Sequence, residues 1–145
     1  MQTISEAEWE VMRVIWARKQ LKSSDIIDIL QEKFQWSPST IKTLLGRLVD
    51  KKLVGTQKSG RAFLYESLVN EKDYQEKLIQ DGLNHICQRK HASLLLKILK
   101  AMPMTKQDIA DFQELLREKE VSTVGKVPCN CIPGQCRCDK EESHR

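Results

Sequence analysis

Four cysteines near the C-terminus are the side chains of this sequence best suited to chemistry. They follow the spacing Cys-x-Cys, four residues, Cys-x-Cys, at Cys129, Cys131, Cys136 and Cys138. The Pro133-Gly134 pair between them is typical of a turn, which would fold one pair of thiols back onto the other. Soft sulfur ligands at this density favour Zn(II), Cu(I) or a similar thiophilic ion. The spacing therefore predicts a metal site that needs little fold around it.

The other cysteine and the histidines are weaker candidates for metal ligands. Cys87 is distant from the tail in sequence and follows the apolar Ile86, so we expect a small buried side chain rather than a ligand. His85 and His91 are six residues apart and would not share a face of one helix. His144 is a candidate for an additional ligand, although we expect terminal residues to be poorly ordered.

The composition excludes several classes of protein. The chain has 145 residues, of which 40% are hydrophobic and 30% charged, which fits one compact domain with an appendage or two small domains. No apolar run approaches the roughly 18 residues of a membrane helix, and the acidic N-terminus lacks the apolar segment of a signal peptide. We expect a cytoplasmic protein, in which reduced cysteines are more often ligands than disulfides. No nucleophile–base pair, phosphate loop or carboxylate pair stands out, so we do not expect an enzyme.

Positive charge is concentrated in one segment. The formal net charge is +4, but residues 37–62 carry six basic side chains against one acidic side chain, or +5, which leaves about −1 for the rest of the chain. A basic patch of this kind is typical of nucleic-acid binding. The basic residues of the segment are Lys42, Arg47, Lys51, Lys52, Lys58 and Arg61.

Capping signals predict three helices in the first third of the chain. Ser5 to Glu8 form a capping box at the start of the first helix. Ser23 or Ser24 suits the N-cap of the second helix. Ser37 suits the N-cap of the third, and Pro38 its first helical position.

A short extended segment and a hairpin complete this domain. Gln20–Lys22 predicts an extended link, while Leu53–Lys58 and Arg61–Tyr65 predict two strands joined by a two-residue Ser59–Gly60 loop. Three helices followed by a hairpin with a basic tip predict a winged helix-turn-helix over residues 1–69.

The third helix has one apolar face and one polar face. Its apolar stripe runs from Ile41 to Val49, whereas Ser39, Thr43 and Arg47 are spaced four apart and align along another side. Arginine can read O6 and N7 of guanine, and hydroxyls can contact phosphates or base edges. The residues expected to contact DNA are Ser39, Thr40, Lys42, Thr43, Arg47, Lys58 and Arg61.

Residues 70–120 predict helices that cannot form a core alone. Asn70 suits the N-cap of a helix that extends towards Ile86, and Thr105 suits the N-cap of the last helix. Their exposed apolar stripes favour a homodimer, in which two winged helices address the two half-sites of a palindrome. Residues 121–145 lose this periodicity and form a flexible tail that carries the four cysteines. The expected fold class is therefore mainly α.

Two parts of the sequence resemble a known family of repressors. The stretches 6–16, 39–54 and 60–65 resemble the BlaI/MecI penicillinase-repressor family, and the Cys-x-Cys-x4-Cys-x-Cys tail is similar to that of its copper-responsive CopY branch. The resemblance implies a dimeric repressor of copper-export genes that binds operator DNA when loaded with Zn(II). It also implies that Cu(I) displaces the zinc and releases the DNA, with a copper chaperone as a candidate donor of Cu(I).

Two other functions remain open from the sequence. One is a thiol-rich metal carrier or redox buffer with a helical domain, which should show no preference for an operator sequence. The other is a repressor of the same kind whose inducer is another soft metal ion or an oxidant.

Overall fold

The computed structural model describes residues 1–138. The chain is mainly α-helical with one three-stranded sheet, and it contains two compact units, residues 1–75 and residues 76 onward. The elements in chain order are α1 (Glu6–Arg18), β1 (Gln20–Lys22), α2 (Ser23–Lys33), α3 (Pro38–Asp50), β2 (Val54–Ser59), β3 (Ala62–Ser67), α4 (Glu71–Asn84), α5 (His91–Ala101) and α6 (Lys106–Lys119).

Helices α1 and α3 begin at the caps that the sequence predicts. The hydroxyl of Ser5 accepts a hydrogen bond from the N–H of Glu8 at 3.2 Å, and the Glu8 carboxylate accepts one from the N–H of Ser5 at 3.3 Å. In α3, the Ser37 hydroxyl accepts from the N–H of Thr40 at 3.2 Å, and Pro38 is the first helical residue. These side chains satisfy backbone donors that have no partner inside a helix.

Helix α2 begins earlier than the predicted serine caps. Ser23 is already helical, and Lys22 stands at the N-cap with extended backbone. Lys22 is also the last residue of β1, where it pairs with Leu64. The prediction of a serine cap is wrong because strand pairing decides where the extended backbone ends. The Asp25 carboxylate accepts from the N–H of Lys22 at 3.3 Å and so takes over the capping role.

The three strands form one antiparallel sheet in the order β1-β3-β2. The predicted extended link is therefore a strand that pairs with β3. The hairpin turn lies at Gly60–Arg61, one residue later than predicted, because Ser59 pairs with Ala62. Gly60 adopts a φ of 63°, a value that glycine reaches without a Cβ clash. This turn position therefore favours glycine. Arg61 consequently lies in the turn itself.

The core of the first unit lies between the apolar faces of α1, α2 and α3 and the start of β2. Each fully buried Leu or Ile side chain stabilises the fold by about 1.5–3 kcal/mol. Tyr74 in the first turn of α4 belongs to this core, with its ring centroid 6.5 Å from that of Trp16. The buried apolar residues are Val11, Met12, Ile15, Leu21, Ile26, Leu30, Ile41, Leu44, Leu45, Leu48, Leu53, Val54 and Tyr74.

Helices α4 and α6 begin at the predicted caps. The Asn70 side chain accepts from the N–H of Asp73 at 3.1 Å at the start of α4, and Thr105 forms a capping box with Asp108 at the start of α6. Helix α4 ends at Asn84, short of the predicted Ile86.

The second unit leaves much of its apolar surface exposed. Neither α5 nor α6 contains a buried residue. Leu96 is 71% exposed, and Leu116 is 58% exposed. Within residues 1–138, no helix is both long enough and apolar enough to cross a bilayer.

Candidate DNA-binding surface and metal centre

Helix α3 places the predicted DNA contacts on the surface. Its buried residues Ile41, Leu44, Leu45 and Leu48 fix the helix against the core. All seven residues expected to contact DNA are exposed, five of them on α3 and two in the hairpin of β2 and β3. The fold therefore presents the predicted contacts on one helix and one hairpin of a single domain.

The hydroxyl groups at the start of α3 hydrogen-bond to one another. The Ser37 hydroxyl lies 2.9 Å from that of Ser39 and 3.0 Å from that of Thr40. The Thr43 hydroxyl donates to the backbone oxygen of Ser39 at 2.9 Å. Because its proton is engaged, the Thr43 hydroxyl offers lone pairs to an incoming donor, such as an exocyclic base amine.

The basic residues of this surface divide into two groups. Among the described residues, Lys42, Arg47, Lys58 and Arg61 form no ion pair. Lys51, by contrast, is held by the carboxylate of Glu8 at 2.7 and 2.9 Å, and it also donates to the backbone oxygen of Thr3 at 2.9 Å. Lys51 therefore stabilises the fold, whereas the four unpaired cations are available for phosphates or bases.

The Glu8–Lys51 pair links the start of α1 to the end of α3. Glu8 is the one buried charged residue that the described part of the chain contains, at 2% exposure. Burial acts to raise the pKa of the Glu8 carboxyl, but hydrogen bonds from Lys51 and Ser5 outweigh this effect, and the pKa is lowered. The carboxylate is thus charged at neutral pH and holds the Lys51 ammonium in place.

Five thiols lie together in the second unit. The Sγ atom of Cys87 is 3.7 Å from that of Cys129 and 3.6 Å from that of Cys138. The Sγ atoms of Cys129 and Cys136 are 3.4 Å apart. None of the cysteines is in a disulfide. We call Cys87, Cys129, Cys131, Cys136 and Cys138 the thiol cluster.

Four sulfurs of the thiol cluster have spacings suited to one metal ion. The Sγ atoms of Cys87, Cys129, Cys131 and Cys136 all lie within 4.8 Å of one another. Around zinc, four sulfurs at about 2.3 Å from the metal are about 3.8 Å apart. The residues present therefore fit a tetrahedral zinc site, and their softness also suits Cu(I).

The thiols of the cluster differ in acidity. The backbone N–H of Cys131, which donates to the Cys129 sulfur at 3.4 Å, and the Cys136 thiol lower the pKa of Cys129 to about 7. Desolvation raises the pKa of Cys131 to about 11. The backbone N–H of Cys138 acts to lower the pKa of Cys136, but the thiols of Cys129 and Cys138 raise it to about 12. Near neutral pH the cluster therefore holds one readily formed thiolate, and binding of a metal ion must release protons from the others.

The sequence did not reveal the surroundings of Cys87. The side chain is buried, at 7% exposure, as expected, but its neighbours include the tail thiols. No spacing rule connects residues 42 positions apart, and the only available signal was the presence of one more cysteine outside the four-cysteine tail.

The histidines do not join the cluster in the described residues. The Nε2 atom of His91 lies 2.8 Å from the backbone oxygens of both Leu83 and Ile86. A nitrogen that faces two acceptors must carry a proton and so has no lone pair for a metal. His85 is exposed. His144 lies outside the described residues.

The fold and these two sites together define a DNA-binding domain of the winged-helix class joined to a thiol-rich unit. Residues 4–118 match the penicillinase repressor family. The methicillin resistance regulatory protein MecI of Staphylococcus aureus is 34% identical over 116 residues, which cover 80% of this chain and 94% of MecI. The chain therefore belongs to the penicillinase repressor family, whose named members here are a regulatory protein and a penicillinase repressor and not enzymes.

Similarity to one relative extends further along the chain. An uncharacterised 16.5 kDa protein in the ptsI 3′ region of Latilactobacillus sakei is 42% identical over 139 residues, which cover 96% of this chain and 95% of that protein. Among solved structures, the DNA-binding domain of the repressor BlaI is 40% identical, with a TM-score of 0.46. The matched segment covers 51% of this chain and 94% of the BlaI domain. The segment matched by the family ends at residue 118, before the four tail cysteines begin.

Proposed function

We propose that this protein is a metal-controlled transcriptional repressor that binds operator DNA through α3 and the β2–β3 hairpin. The observation that carries the proposal is the presence of the thiol cluster in a chain of the penicillinase repressor family. The domain supplies exposed cations for DNA, and the cluster supplies soft ligands for an ion. Since the tail cysteines lie beyond the residues 4–118 that match the family, the signal is inferred from the thiols and not from the family.

DNA binding rests on the exposed surface of α3 and the hairpin. Arg47 is assigned to base edges, and Lys42, Lys58 and Arg61 to phosphates, because phosphate contacts position a protein and base contacts specify the sequence. The hydroxyls of Ser39, Thr40 and Thr43 complete the surface.

We assign the exposed apolar residues of α5 and α6 to a homodimer. Leu96, Ile98, Leu115 and Leu116 are each more than half exposed, and apolar surface of this kind is stabilised by a partner. A twofold dimer carries two winged helices and so matches a palindromic operator.

Zn(II) is proposed for the repressing form and Cu(I) for the released form. The genes that the protein controls are proposed to be copper-export genes. Four thiolates carry −4, so one Zn(II) and two Cu(I) both leave a net charge of −2. Net charge therefore cannot distinguish the two forms, whereas geometry can, because Zn(II) favours four sulfurs in a tetrahedron and Cu(I) is softer and suits other arrangements of sulfur. When bound, zinc supplies a fixed geometry that holds the Cys-x-Cys pairs together.

The remaining parts of the proposal follow from this chemistry. The protein acts in the cytoplasm, where the thiols stay reduced. A copper chaperone is the proposed donor of Cu(I), because transfer between thiolates delivers the ion without releasing it into solution.

The experiment that tests the function is a mobility shift with DNA from the region upstream of the protein's own gene. Reduced, zinc-loaded protein should bind this DNA more tightly than a scrambled duplex, and Cu(I) added in stoichiometric amounts should release it. Cadmium and peroxide are added in parallel under the same conditions.

Each alternative has its own outcome in this experiment. Equal affinity for operator and scrambled duplex would indicate a metal carrier or redox buffer. Release by cadmium or peroxide but not by Cu(I) would contradict the assignment of copper as the inducer.

A further inference from the structure

Cys87 lies at a turn between two helices and not in the tail. It follows the end of α4 by three residues and precedes the short 3-10 turn Gln88–Lys90. It is nonetheless in contact with the tail thiols, at 3.7 Å from the sulfur of Cys129 and 3.6 Å from that of Cys138. The contact brings together residues 42 and 51 positions apart.

Two hydrogen bonds hold the tail at this turn independently of the thiols. The Asn130 side-chain oxygen accepts from the backbone N–H of Gln88 at 2.9 Å. The backbone oxygen of Val127 accepts from Nε of Arg89 at 2.9 Å. Both bonds join a residue within two positions of Cys87 to a residue within two positions of Cys129. The approach of the thiols is therefore supported by two further polar contacts.

The thiol cluster contains one more sulfur than a tetrahedral zinc site needs. The four sulfurs within 4.8 Å of one another include Cys87 but not Cys138. Cys138 lies beside Cys87 at the edge of this set and is similarly buried, at 6% exposure against 7%. Burial alone therefore does not distinguish the two thiols, but the spacing of the sulfurs does.

We propose that Cys87 is a zinc ligand, that it completes the site with Cys129, Cys131 and Cys136, and that Cys138 is the spare thiol. The inference rests on the proposed function in that it assigns ligands to the same metal centre. Zinc then joins the tail to the turn after α4 instead of closing the tail on itself.

Cys87 is connected along the chain to the winged domain through one helix. The first turn of α4 lies in the core of the winged domain through Tyr74, and Cys87 follows the last turn of the same helix by three residues. A zinc ion bound at Cys87 would therefore lie three residues beyond the end of a helix whose first turn belongs to the DNA-binding domain.

The test counts sulfur ligands in full-length, reduced, zinc-loaded protein by X-ray absorption at the zinc edge. Because a spare thiol can replace a lost ligand, the sulfur counts in the variants test whether Cys87 can bind the ion, and alkylation of the wild-type protein tests which thiol is the spare. Cys138→Ser should keep four sulfurs, and Cys87→Ser combined with Cys138→Ser should keep three. Competition with a zinc chelator should show a loss of affinity, only in the double variant, larger than the roughly 10- to 100-fold typical of outer-shell changes.

A matched control separates ligation from packing at the same turn. Ile86→Ala combined with Cys138→Ser removes apolar contact beside Cys87 but leaves every proposed ligand, so it should keep four sulfurs. In wild-type protein, zinc should protect Cys87 from alkylation more strongly than Cys138.

The same measurements can contradict the assignment of Cys87 as a zinc ligand. If Cys138→Ser shows three sulfurs, or if zinc in the wild-type protein protects Cys138 from alkylation more strongly than Cys87, the zinc ligands are the four tail cysteines and the proposal is wrong. None of these measurements involves DNA, so a failed operator experiment with four sulfurs in Cys138→Ser would overturn the repressor function and leave the ligand assignment intact.

Discussion

Arg47 is the residue to which sequence-specific recognition is assigned. It is exposed on α3 and forms no ion pair among the described residues, so its guanidinium can make a bidentate contact with guanine. Lys58 and Arg61 are exposed at the end of the hairpin, where contact with phosphate carries no sequence information. The two groups should therefore differ in how their loss affects binding.

Arg47→Ala should cost about 1–3 kcal/mol of operator binding and relax the sequence preference, because a bidentate base contact is lost. Lys58→Ala or Arg61→Ala should weaken operator and scrambled duplex alike and lower the salt slope by about 1 per lost phosphate contact. Fluorescence anisotropy at several salt concentrations measures both effects. The assignment fails if Arg47→Ala binds as wild type while the hairpin variants lose discrimination.

Gly46 offers a second test of the α3 surface. A Cβ at Gly46 would meet nothing within 4 Å, and the same holds for Gly82 in α4. Both are helical, so Gly46→Ala and Gly82→Ala should each stabilise the protein by about 0.5–1 kcal/mol through helix propensity.

Only Gly46→Ala should also weaken operator binding, because its new methyl group lies on the exposed side of α3. Thermal unfolding and operator titration of the two variants give the comparison. Unchanged operator affinity in Gly46→Ala would indicate that this part of α3 stays away from the DNA.

At the scale of elements, the Glu8–Lys51 pair fixes α1 against the end of α3. The folded-state pKa of Glu8 is lowered relative to the unfolded chain, so its contribution to stability is present above the ordinary glutamate pKa of about 4.3 and is lost as the pH falls through the folded pKa. Glu8→Gln should lower the free energy of unfolding at neutral pH by about 1–3 kcal/mol, since a buried charged hydrogen bond is lost.

Chemical denaturation between neutral and acidic pH checks this prediction. The difference between wild type and Glu8→Gln should shrink as the pH falls. Glu10→Gln is the control, because Glu10 pairs with Lys33 at 3.4 Å near the surface and such pairs contribute only about 0–1 kcal/mol. If the two variants lost equal free energies of unfolding, the buried Glu8–Lys51 pair would contribute no more than a surface pair.

Helix α4 connects the two units, and its first turn belongs to the winged domain. A fragment of residues 1–75 retains Tyr74, whereas a fragment of residues 1–69 loses it, and burial of a large aromatic side chain is worth about 2–4 kcal/mol. The longer fragment should be the more stable, and both should sediment as monomers because α5 and α6 are absent. A tight dimer of residues 1–75 would contradict the assignment of the dimer to these helices.

Much of the fold could be predicted because its signals are local. Caps at Ser5, Ser37 and Thr105 depend on residues three positions apart, and the structure confirms them. Two predictions, the start of α2 and the position of the hairpin turn, were wrong because pairing with another strand determines the backbone there. Pairing of β1 with β3 moved the start of α2, and the register of Ser59 with Ala62 moved the hairpin turn.

The same distinction applies to the metal centre. The tail cysteines are recognisable because their spacing is short and regular, whereas the approach of Cys87 to the tail depends on tertiary contacts such as that between Gln88 and Asn130. No local pattern contains such a contact. The assignment of individual ligands therefore needs the structure.

At the scale of the whole molecule, the central claim is that the thiol cluster controls the affinity of the winged domain for DNA. The direct measurement is operator binding by the quadruple variant with serine at Cys129, Cys131, Cys136 and Cys138, titrated with stoichiometric Cu(I). A single remaining thiol cannot hold the ion in a defined geometry, so we expect a folded protein whose operator affinity no longer responds to copper, beside a wild type that is released. Release of the quadruple variant by the same amount of Cu(I) would show that the sensor lies elsewhere in the chain.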